Sequence, residues 1–432
     1  MTQQLRDLSD HDLAMMLERF YETKNLLKGS SGVWLFDKLV WRNLQDEEIK
    51  ATAIQVLTNQ VDKVMRGRLS CMIDIFKSID WVPNLQFEQG DLNTVVLADG
   101  YRKYSDSCWK AVPIDQDLRR RVAVPWSYTD AKPIKFDQFL DEILCKPDGL
   151  PLVDRDQLRQ LIWEMLGYCL VTHTRFEQCF ILCGKGANGK SVLGNVAKEM
   201  VGRVNTTSIQ PTQMGNVFQR SNLEGKLLNL VTELNQNEEL EDGMLKAIVS
   251  GEMMSVEKKF QNPREIEPYA KHIILTNHMP RIRDYSDGLF RRVSIIELQR
   301  QFLGDADDPH LIDKLKCEMD AITSRALDAV GRLIDRGGQF TKPQSSEVAK
   351  SNWKANNNHL HLFLSECVKD NQVGNVGVQT LYDAYGRWFA TSGLRARLGR
   401  NHFSQRVEAA GIPKTRTNRG CCFIGISLTA PT

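Results

Sequence analysis

Residues 184–191 read Gly184-Lys185-Gly186-Ala187-Asn188-Gly189-Lys190-Ser191 and directly follow the apolar run Cys179 to Cys183. Apolar residues then recur at helical spacing as far as Met200. A glycine-rich loop between a strand and a helix lets backbone N–H groups surround phosphate oxygens. A plain glycine-rich turn would leave Lys190 and Ser191 unexplained. The predicted nucleotide-binding residues are therefore Gly184, Gly186, Ala187, Asn188, Gly189, Lys190, Ser191 and Val192.

Two residues of this loop have distinct predicted roles. Lys190 reaches the β- and γ-phosphates, and the Ser191 hydroxyl binds Mg²⁺. The phosphates then lie against the positive end of the following helix. The expected ligands are ATP and Mg²⁺.

Composition limits the classes of protein to which this chain can belong. Its 432 residues are too many for one ordinary core, so two to four domains are expected. No apolar run approaches the ~20 residues that cross a bilayer, and the N-terminus lacks the pattern of a secretory signal. The ten cysteines are scattered, without metal-site spacing, and we interpret them as reduced core thiols. We expect a cytoplasmic protein with no membrane partner.

The order of strand and helix patterns predicts the fold class. Strand patterns follow the loop at 227–231, 272–276 and 293–296, with helical segments between them, which predicts a parallel sheet with helices on its faces. Upstream, helices are predicted at 10–27, capped by Ser9, and at 136–170, and a hairpin at 33–41 with its turn at Asp37-Lys38. Downstream, a helical stretch at 308–336 precedes residues 341–346, whose composition is typical of a linker.

Polar side chains at the strand ends extend the predicted nucleotide site. Glu233 follows the strand 227–231, where an acid holds the Mg²⁺ water shell or polarises the attacking water. Asn277 follows the next strand, where it can bind the γ-phosphate or that water. Arg291 or Arg292 can reach the nucleotide of a neighbouring subunit, as arginine fingers do. The predicted catalytic residues are Lys190, Glu233, Asn277, Arg291 and Arg292, and the predicted metal ligands are Ser191 and Glu233.

These motifs resemble those of the superfamily 3 helicases, specifically the primase-helicases of satellite phages, prophages and poxviruses. Gly184 to Ser191 looks like the family's Walker A loop, and Gly225 through Glu233 looks like its Walker B strand. Thr276 through Ile282 is similar to its sensor motif, and Asp287 through Arg292 to its arginine-finger segment. The resemblance covers about residues 85 to 430. It implies an AAA+ core, a hexameric ring and single-stranded or forked DNA as substrate.

One position departs from the family pattern. Relatives usually carry a second acid two residues beyond the first, where this chain has Asn235. If two carboxylates are needed, Glu238 or Glu239 is the second. The general base is therefore left open at this stage.

Two segments are candidates for DNA contact. Residues 255–266 form two extended runs around a basic tip, and in the resembling family this segment is a hairpin in the ring's channel. Its lysines can neutralise phosphates while an aromatic contacts sugar or base, although an ordinary solvated loop is the alternative. The predicted contacts there are Lys258, Lys259, Phe260 and Arg264.

The second candidate is the basic C-terminal part, where the segment from Arg395 to Arg419 contains seven basic residues and a single acid, Glu408. Three helical patterns, at 359–370, 378–392 and 401–410, and a strand-like tail favour a winged helix, which the family also carries, and a solvated basic surface is the alternative. The predicted DNA contacts are Arg400, Arg406, Arg416 and Arg419.

The predicted fold is an α/β protein with an AAA+ P-loop parallel-sheet core, an N-terminal mostly helical region and a C-terminal winged helix. The divisions are an α+β accessory region (1–80), a helical collar for oligomerisation (81–175), the superfamily 3 core (176–305), a helical return segment and linker (306–345), and the winged helix (346–432). A primase needs paired aspartates, and the strand-like run 73–76 holds only Asp74. A primase or replication initiator is therefore expected as a separate partner.

These patterns lead to three hypotheses. The first is an ATP-dependent ring helicase that translocates on single-stranded DNA during replication of a phage or mobile element. The second is an origin-binding or loading factor that uses ATP only as a switch, which Asn235 favours. The third is a P-loop ATPase of unrelated purpose.

Overall fold

The structure, a computed structural model, describes residues 8–58, 66–234, 240–259, 262–280, 282, 287–304, 308–357, 359–392, 397–417 and 420–429. These residues form an N-terminal α/β unit, a central core built on a five-stranded parallel sheet, and a C-terminal unit of helices and antiparallel strands. None of the helices so described is both long and apolar enough to cross a membrane.

The N-terminal unit packs three helices against one face of a four-stranded sheet. A capping box starts the first helix: Ser9 Oγ accepts a hydrogen bond from Asp12 N at 3.1 Å, and Asp12 Oδ2 accepts one from Ser9 N at 2.8 Å. The predicted cap is thus confirmed, and the region predicted to be mostly helical also contains this four-stranded sheet. The elements are α1 Asp10–Tyr21, β1 Leu26–Gly29, β2 Gly32–Asp37, β3 Val40–Leu44, α2 Asp46–Thr58, α3 Arg66–Ser78 and β4 Trp81–Val82, in the sheet order β3-β2-β1-β4.

The predicted hairpin is formed by β2 and β3, with its turn displaced by one residue. Asp37 pairs with Val40, so the turn is Lys38-Leu39. Lys38 has a φ of 59°, which the tight turn requires. The turn is displaced because Asp37 still belongs to β2, where it forms the last residue pair with β3.

The prediction of a helical collar over 81–175 is wrong for its first part. Three antiparallel strands, β5 Thr94–Leu97, β6 Gly100–Ser105 and β7 Cys108–Val112, precede the helices α4 Ile134–Ile143 and α5 Arg155–Tyr168. These strands are short and their burial does not alternate regularly, since β5 is buried throughout and β7 buries only Trp109, which made the pattern hard to identify. Trp109 donates from Nε1 to the Leu327 carbonyl at 2.7 Å, so these strands belong to the central core.

The parallel sheet of the central core begins with the strand before the glycine-rich loop. Its parallel sheet has the order β14-β8-β13-β10-β9, and all three predicted strand patterns are confirmed within it. The elements are β8 Cys179–Cys183, α6 Lys190–Val201, β9 Thr206–Thr207, α7 Val217–Arg220, β10 Leu228–Val231, α8 Asp242–Ser250, β11 Met254–Val256, β12 Arg264–Ile266, β13 Lys271–Thr276, α9 Asp287–Phe290, β14 Val293–Glu297, α10 Leu311–Lys316, α11 Met319–Asp335 and α12 Gln344–Asn357.

Alternate residues of the central strands belong to two separate hydrophobic clusters, one on each face of the sheet. In β8, Phe180 and Leu182 pack with α5, α6 and α11, whereas Cys179 and Ile181 pack with α8 and α12. All five β8 residues are buried. A strand covered on both faces reads as a continuous apolar run, which explains the sequence pattern.

Residues 341–346 are not a linker, and the predicted domain boundary at 346 is wrong. Thr341 donates from its N–H to Glu164 Oε2 at 2.8 Å, and α12 packs against β14. Trp353 of α12 is 2% exposed, donates from Nε1 to the Pro280 carbonyl at 2.8 Å and meets the Phe290 ring edge-on. These contacts show that α12 belongs to the central core. Its polar composition suggested a linker because only a narrow stripe of the helix is buried.

The C-terminal unit has its own hydrophobic cluster, formed by aromatic residues such as Phe363, Tyr385 and Phe403. Its three strands are antiparallel in the order β15-β17-β16. The predicted helix at 359–370 ends early because Val368 enters the sheet. The elements are α13 His359–Cys367, β15 Val368–Gly377, α14 Val378–Thr391, α15 Arg400–Ala409, β16 Lys414–Thr417 and β17 Gly420–Leu428.

The position of α12 predicts a large effect on stability. Trp353→Ala removes a buried indole and its hydrogen bond, so the free energy of unfolding of the central core should fall by about 3–5 kcal/mol. Val348→Ala, on the exposed side of the same helix, should change it by less than about 0.5 kcal/mol. Urea denaturation measures the stability of both variants, with backbone circular dichroism as the signal because it does not depend on the substituted tryptophan. Equal stability of Trp353→Ala and the unaltered chain would show that α12 does not pack on the core.

Candidate functional site

The loop between β8 and α6 has a backbone that only certain residues can adopt. Gly184, Ala187 and Gly189 have positive φ values of 149°, 56° and 86°. A Cβ on Gly189 would lie 2.6 Å from Ile143 Cγ2, whereas one on Gly186 would meet nothing within 4 Å. Gly189 is therefore required by packing and conformation, and Gly186 leaves open space at the mouth of the loop.

The side chain of Lys190 is held in place by oxygen atoms of other residues in the loop. Its Nζ donates to the Gly184 carbonyl at 2.6 Å, the Lys185 carbonyl at 3.1 Å and Asn188 Oδ1 at 2.9 Å. Burial lowers the pKa of Lys190 below its ordinary value. An anion beside this ammonium would oppose that effect of burial, because an opposite charge favours the charged form.

The segment after β14 fixes the loop from outside. Asn188 Nδ2 donates to the Leu298 carbonyl at 2.9 Å, Gln301 Nε2 to the Gly186 carbonyl at 2.9 Å and Phe302 N to the Ala187 carbonyl at 2.6 Å. The sequence did not point to Gln301 or Phe302, because contacts across more than a hundred residues leave no local pattern. The loop is consequently held in shape without a ligand.

A triphosphate and Mg²⁺ fit the residues that are present. The amino end of the twelve-residue helix α6 is formed by Gly189, Lys190, Ser191 and Val192, and the first turn of any helix has N–H groups with no intrahelical acceptor. Ser191 is exposed at this end, so its hydroxyl is available to a cation bound beside the phosphates. The Gly186 space and the Lys190 ammonium complete an anion-binding surface.

Two further predicted residues lie at the same edge of the sheet. Asn277 follows β13, the neighbour of β8, and Glu233 lies two residues beyond β10, the neighbour of β13. Parallel strands bring their carboxyl ends to one edge, and both side chains are exposed there. The sheet thus places the Lys190 loop, Asn277 and Glu233 at the same edge. Asn235, Glu238 and Glu239 lie outside the described residues.

The two candidate arginines have different surroundings. Arg292 is 12% exposed, pairs with Glu177 at 2.8 Å, and donates to Ser250 Oγ at 3.0 Å and the Gly288 carbonyl at 2.9 Å. Arg291 is 66% exposed, with its guanidinium 3.9 Å from Glu177. Arg292 is therefore held within its own chain, and Arg291 is the arginine that extends into solvent.

The predicted hairpin is present, formed by β11 and β12 with Val256 opposite Arg264. Arg264 makes a bidentate ion pair with Glu224, and Lys258 lies 3.7 Å from the same carboxylate. Arg264 is thus an internal anchor of the hairpin, while Lys258 is half-exposed and Lys259 is exposed. Phe260 lies outside the described residues. Glu224, which the sequence did not single out, joins the hairpin to the core.

The predicted DNA-binding arginines of the C-terminal unit lie on two neighbouring elements. Arg400 begins α15 and is exposed, Arg406 in its last turn is partly buried, and Arg416 lies on β16, where all four residues are exposed. Arg419 lies outside the described residues. The structure brings an exposed helix start and an exposed strand together on one unit.

Comparisons with known proteins find similarity to two viral proteins in sequence and to solved structures of one protein region in fold. A model of a family of unknown function (DUF5906) matches residues 182–292, from the end of β8 through Arg292. "Putative helicase L207/L206" of Acanthamoeba polyphaga mimivirus is 26% identical over 185 residues, covering 40% of this chain and 19% of the viral protein. "Putative helicase 121R" of Invertebrate iridescent virus 3 is 22% identical over 264 residues, covering 52% and 28%. The chain spans less than a third of either viral protein.

The fold likeness is broader than the sequence likeness. The apo structure of the NrS-1 C-terminal region aligns with 96% of this chain and 99% of its own, with a TM-score of 0.53 and 12% identity. A second apo structure of that region, in its A form, covers 94% and 97% with a TM-score of 0.50 and 11% identity. The whole chain therefore shares a fold with that region, and part of it is similar in sequence to helicase-named viral proteins.

The two loop glycines should respond differently to a methyl group. Gly189→Ala introduces a Cβ at positive φ and against Ile143, so it should lower the free energy of unfolding by about 1–3 kcal/mol and weaken nucleotide binding. Gly186→Ala meets no neighbour and should leave stability unchanged. Thermal denaturation and binding of a fluorescent ATP analogue measure the two effects. If Gly189→Ala is as stable as Gly186→Ala, the described loop conformation is wrong.

Proposed function

We propose that this chain is an ATP-driven DNA helicase of superfamily 3, built on an AAA+ core and working as a ring, most simply a hexamer, on single-stranded and forked DNA. The observation that carries the proposal is the alignment of the Lys190 loop, Asn277 and Glu233 along one edge of a parallel sheet. A phosphate-binding loop alone indicates only a nucleotide site. A loop with an acid and an amide beside it can also hydrolyse the nucleotide.

Each residue of this edge has a chemical task. Lys190 neutralises the β- and γ-phosphates, while the N–H groups of the loop and of α6 hold their oxygens. Ser191 and Glu233 would hold Mg²⁺, which supplies charge neutralisation at the phosphates when bound. Glu233 also orients the attacking water and accepts its proton, and Asn277 donates a hydrogen bond to the γ-phosphate or to that water.

The site gains its remaining cation from a neighbouring copy of the chain. Arg291 extends into solvent, whereas Arg292 is committed to Glu177 within its own chain. A solvent-directed guanidinium next to the site-bearing sheet suits an arginine finger supplied across an interface. A head-to-tail interface repeated around a closed ring gives every nucleotide one such arginine.

Two parts of the chain would hold DNA. Lys258 and Lys259 present positive charge at the hairpin, which follows a strand through its phosphates without reading sequence. The C-terminal unit runs helix-strand-helix-helix-strand-strand, with α15 as the groove-facing helix and β16-β17 as the wing of a winged helix. Arg400 and Arg416 are its exposed bases. This unit begins at residue 359, since α12 belongs to the central core.

The alternative is a loading factor that binds ATP as an assembly switch with little turnover. Asn235 in place of a second acid favours it, because a single carboxylate at Glu233 would then serve two tasks. The helicase names of the viral relatives support the first proposal. The primer-synthesis step and the choice of origin would belong to a separate primase or initiator protein.

Loss of the loop lysine should abolish turnover. Lys190→Ala should lower DNA-stimulated ATP hydrolysis by at least about 100-fold, because the transferred phosphoryl group loses its main cation. Lys24→Ala, a change of an exposed lysine far from the loop, should leave hydrolysis and unwinding of a forked duplex intact. Steady-state phosphate release and a fluorescent unwinding assay measure both. An unaltered chain that binds ATP but shows no turnover with single-stranded DNA would instead establish the loading factor.

A second prediction separates the two arginines. Arg292→Ala should destabilise the fold by about 1–3 kcal/mol through its lost charged hydrogen bonds, and Arg291→Ala should leave stability unchanged while abolishing hydrolysis. An equal mixture of Lys190→Ala and Arg291→Ala subunits should then recover up to about a quarter of the unaltered activity, because random ring interfaces pair an intact loop with an intact finger. A mixture no more active than either variant alone would show that Arg291 acts within its own chain.

A further inference from the structure

A large cleft separates the N-terminal unit from the hairpin side of the central core. Its volume is about 1330 Å³, which is above the range of about 300–1,000 Å³ typical of sites for small molecules. We call it the N-terminal cleft. Its N-terminal wall includes the turn 29–32, Arg42, Asn43, Lys77 and Trp81, and its core wall includes Arg121, Val204, Glu224, Lys258 and Arg264.

The core wall of the cleft carries an excess of positive charge. Glu224 is shared by three cations: Arg264 binds it through both guanidinium nitrogens, Arg121 lies 3.5 Å away and Lys258 lies 3.7 Å away. Beneath them, Glu88 pairs with Arg120 at 3.2 Å and lies 3.8 Å from Arg121. Four cations therefore meet two carboxylates, and the wall keeps two uncompensated positive charges for an anionic ligand.

The opposite wall presents an exposed aromatic ring. Trp81 lies on the short strand β4, whose pairing with β1 fixes its position at Lys28. Its side chain is 47% exposed although it is the largest apolar residue type. On this wall Lys77 pairs with Asp46 at 2.7 Å and Arg42 with Glu48 at 2.6 Å, and Glu47 also lines the cleft. The excess of positive charge is therefore confined to the core wall, and this wall contributes the exposed ring of Trp81.

A cationic wall facing an exposed indole suits one class of ligand. Single-stranded nucleic acid binds proteins through phosphates on positive side chains and through bases stacked on aromatic rings. A duplex hides its bases and would leave Trp81 unused, and an acidic peptide would need no stacking surface. The volume of the cleft, above that of sites for small molecules, also suits a polymer better than a free nucleotide.

We propose that the N-terminal cleft binds a single DNA strand, with phosphates toward Arg121 and Lys258 and a base stacked on Trp81. Lys258 belongs both to this cleft and to the hairpin, so a strand at the hairpin continues directly into the cleft. The proposal rests on the proposed function of the hairpin and gives the N-terminal unit a role in holding DNA.

The test measures binding of fluorescein-labelled oligothymidylate to the full chain by anisotropy, in the absence of nucleotide. Trp81→Ala should weaken binding by about 5-fold or more, since stacking of one base on an aromatic ring contributes this much or more. Trp81→Phe should retain most of the affinity. Phe20→Ala is the matched control, because Phe20 is 52% exposed in the same unit but does not line the cleft. Thermal denaturation shows that each variant is folded.

A second variant tests the core wall without touching any aromatic ring. Val204 is exposed on that wall, so Val204→Asp should place a negative charge near the phosphates and weaken oligothymidylate binding several-fold. Val153→Asp, at a valine that is even more exposed and lies outside the cleft, should leave it unchanged. Losses at Trp81 and Val204 with both controls unaffected would support the proposal.

Unchanged binding in both cleft variants would overturn it, as would equal losses in the controls. ATP hydrolysis separates this result from the proposed function. If the chain shows no turnover but binds DNA through Trp81, the helicase proposal fails and the cleft proposal stands. If hydrolysis is stimulated by DNA while the cleft variants bind normally, the cleft is an interface for another molecule, such as a partner protein.

Discussion

The structure depends on the burial of β8 between β13 and β14. All five residues of β8 are buried, and the side chains of residues 179–182 pack alternately in the two hydrophobic clusters. In the sheet, β8 is hydrogen-bonded to β13 on one side and to β14 on the other. Because β8 is fixed from both faces and both edges, its carboxyl end is fixed too. The loop that follows begins from a rigid point, and Gly189 packs against α4 to fix where it ends. The geometry of the site is therefore set by core packing before any ligand is considered.

Much of this core could be predicted from local pattern. The loop, the three strands after it and the capped first helix each have a signal contained within about ten residues. The failures share a physical cause. The strands β5 to β7 are short, and α12 buries only a single stripe that includes Trp353. The amino-acid composition of these segments is therefore dominated by exposed residues. Local sequence describes what a segment prefers, whereas long-range packing decides to which unit it belongs.

The site residues divide in the same way. Lys190, Glu233 and Asn277 were predicted as site residues because each follows a strand, and the structure places them at one edge of the sheet. The choice between Arg291 and Arg292 was not, because only the fold shows that Glu177 and Ser250 lie beside Arg292. Arg264 similarly looked like a DNA contact until Glu224 was placed opposite it. A basic residue in a sequence has no visible partner, and its availability is a property of the three-dimensional structure.

The strand β10 connects the two halves of the proposed mechanism. Glu224, which anchors Lys258 and Arg264 of the hairpin, lies just before this strand, and Glu233, the predicted acid, lies just after it. Four buried residues between parallel neighbours cannot stretch or rotate freely. In the proposed mechanism, a displacement at the nucleotide edge would reach the hairpin through this rigid strand, or through a change in how Glu224 shares its charge among three cations. Because a DNA phosphate would compete with Glu224 for Lys258, strand binding and the anchoring of the hairpin are electrostatically linked.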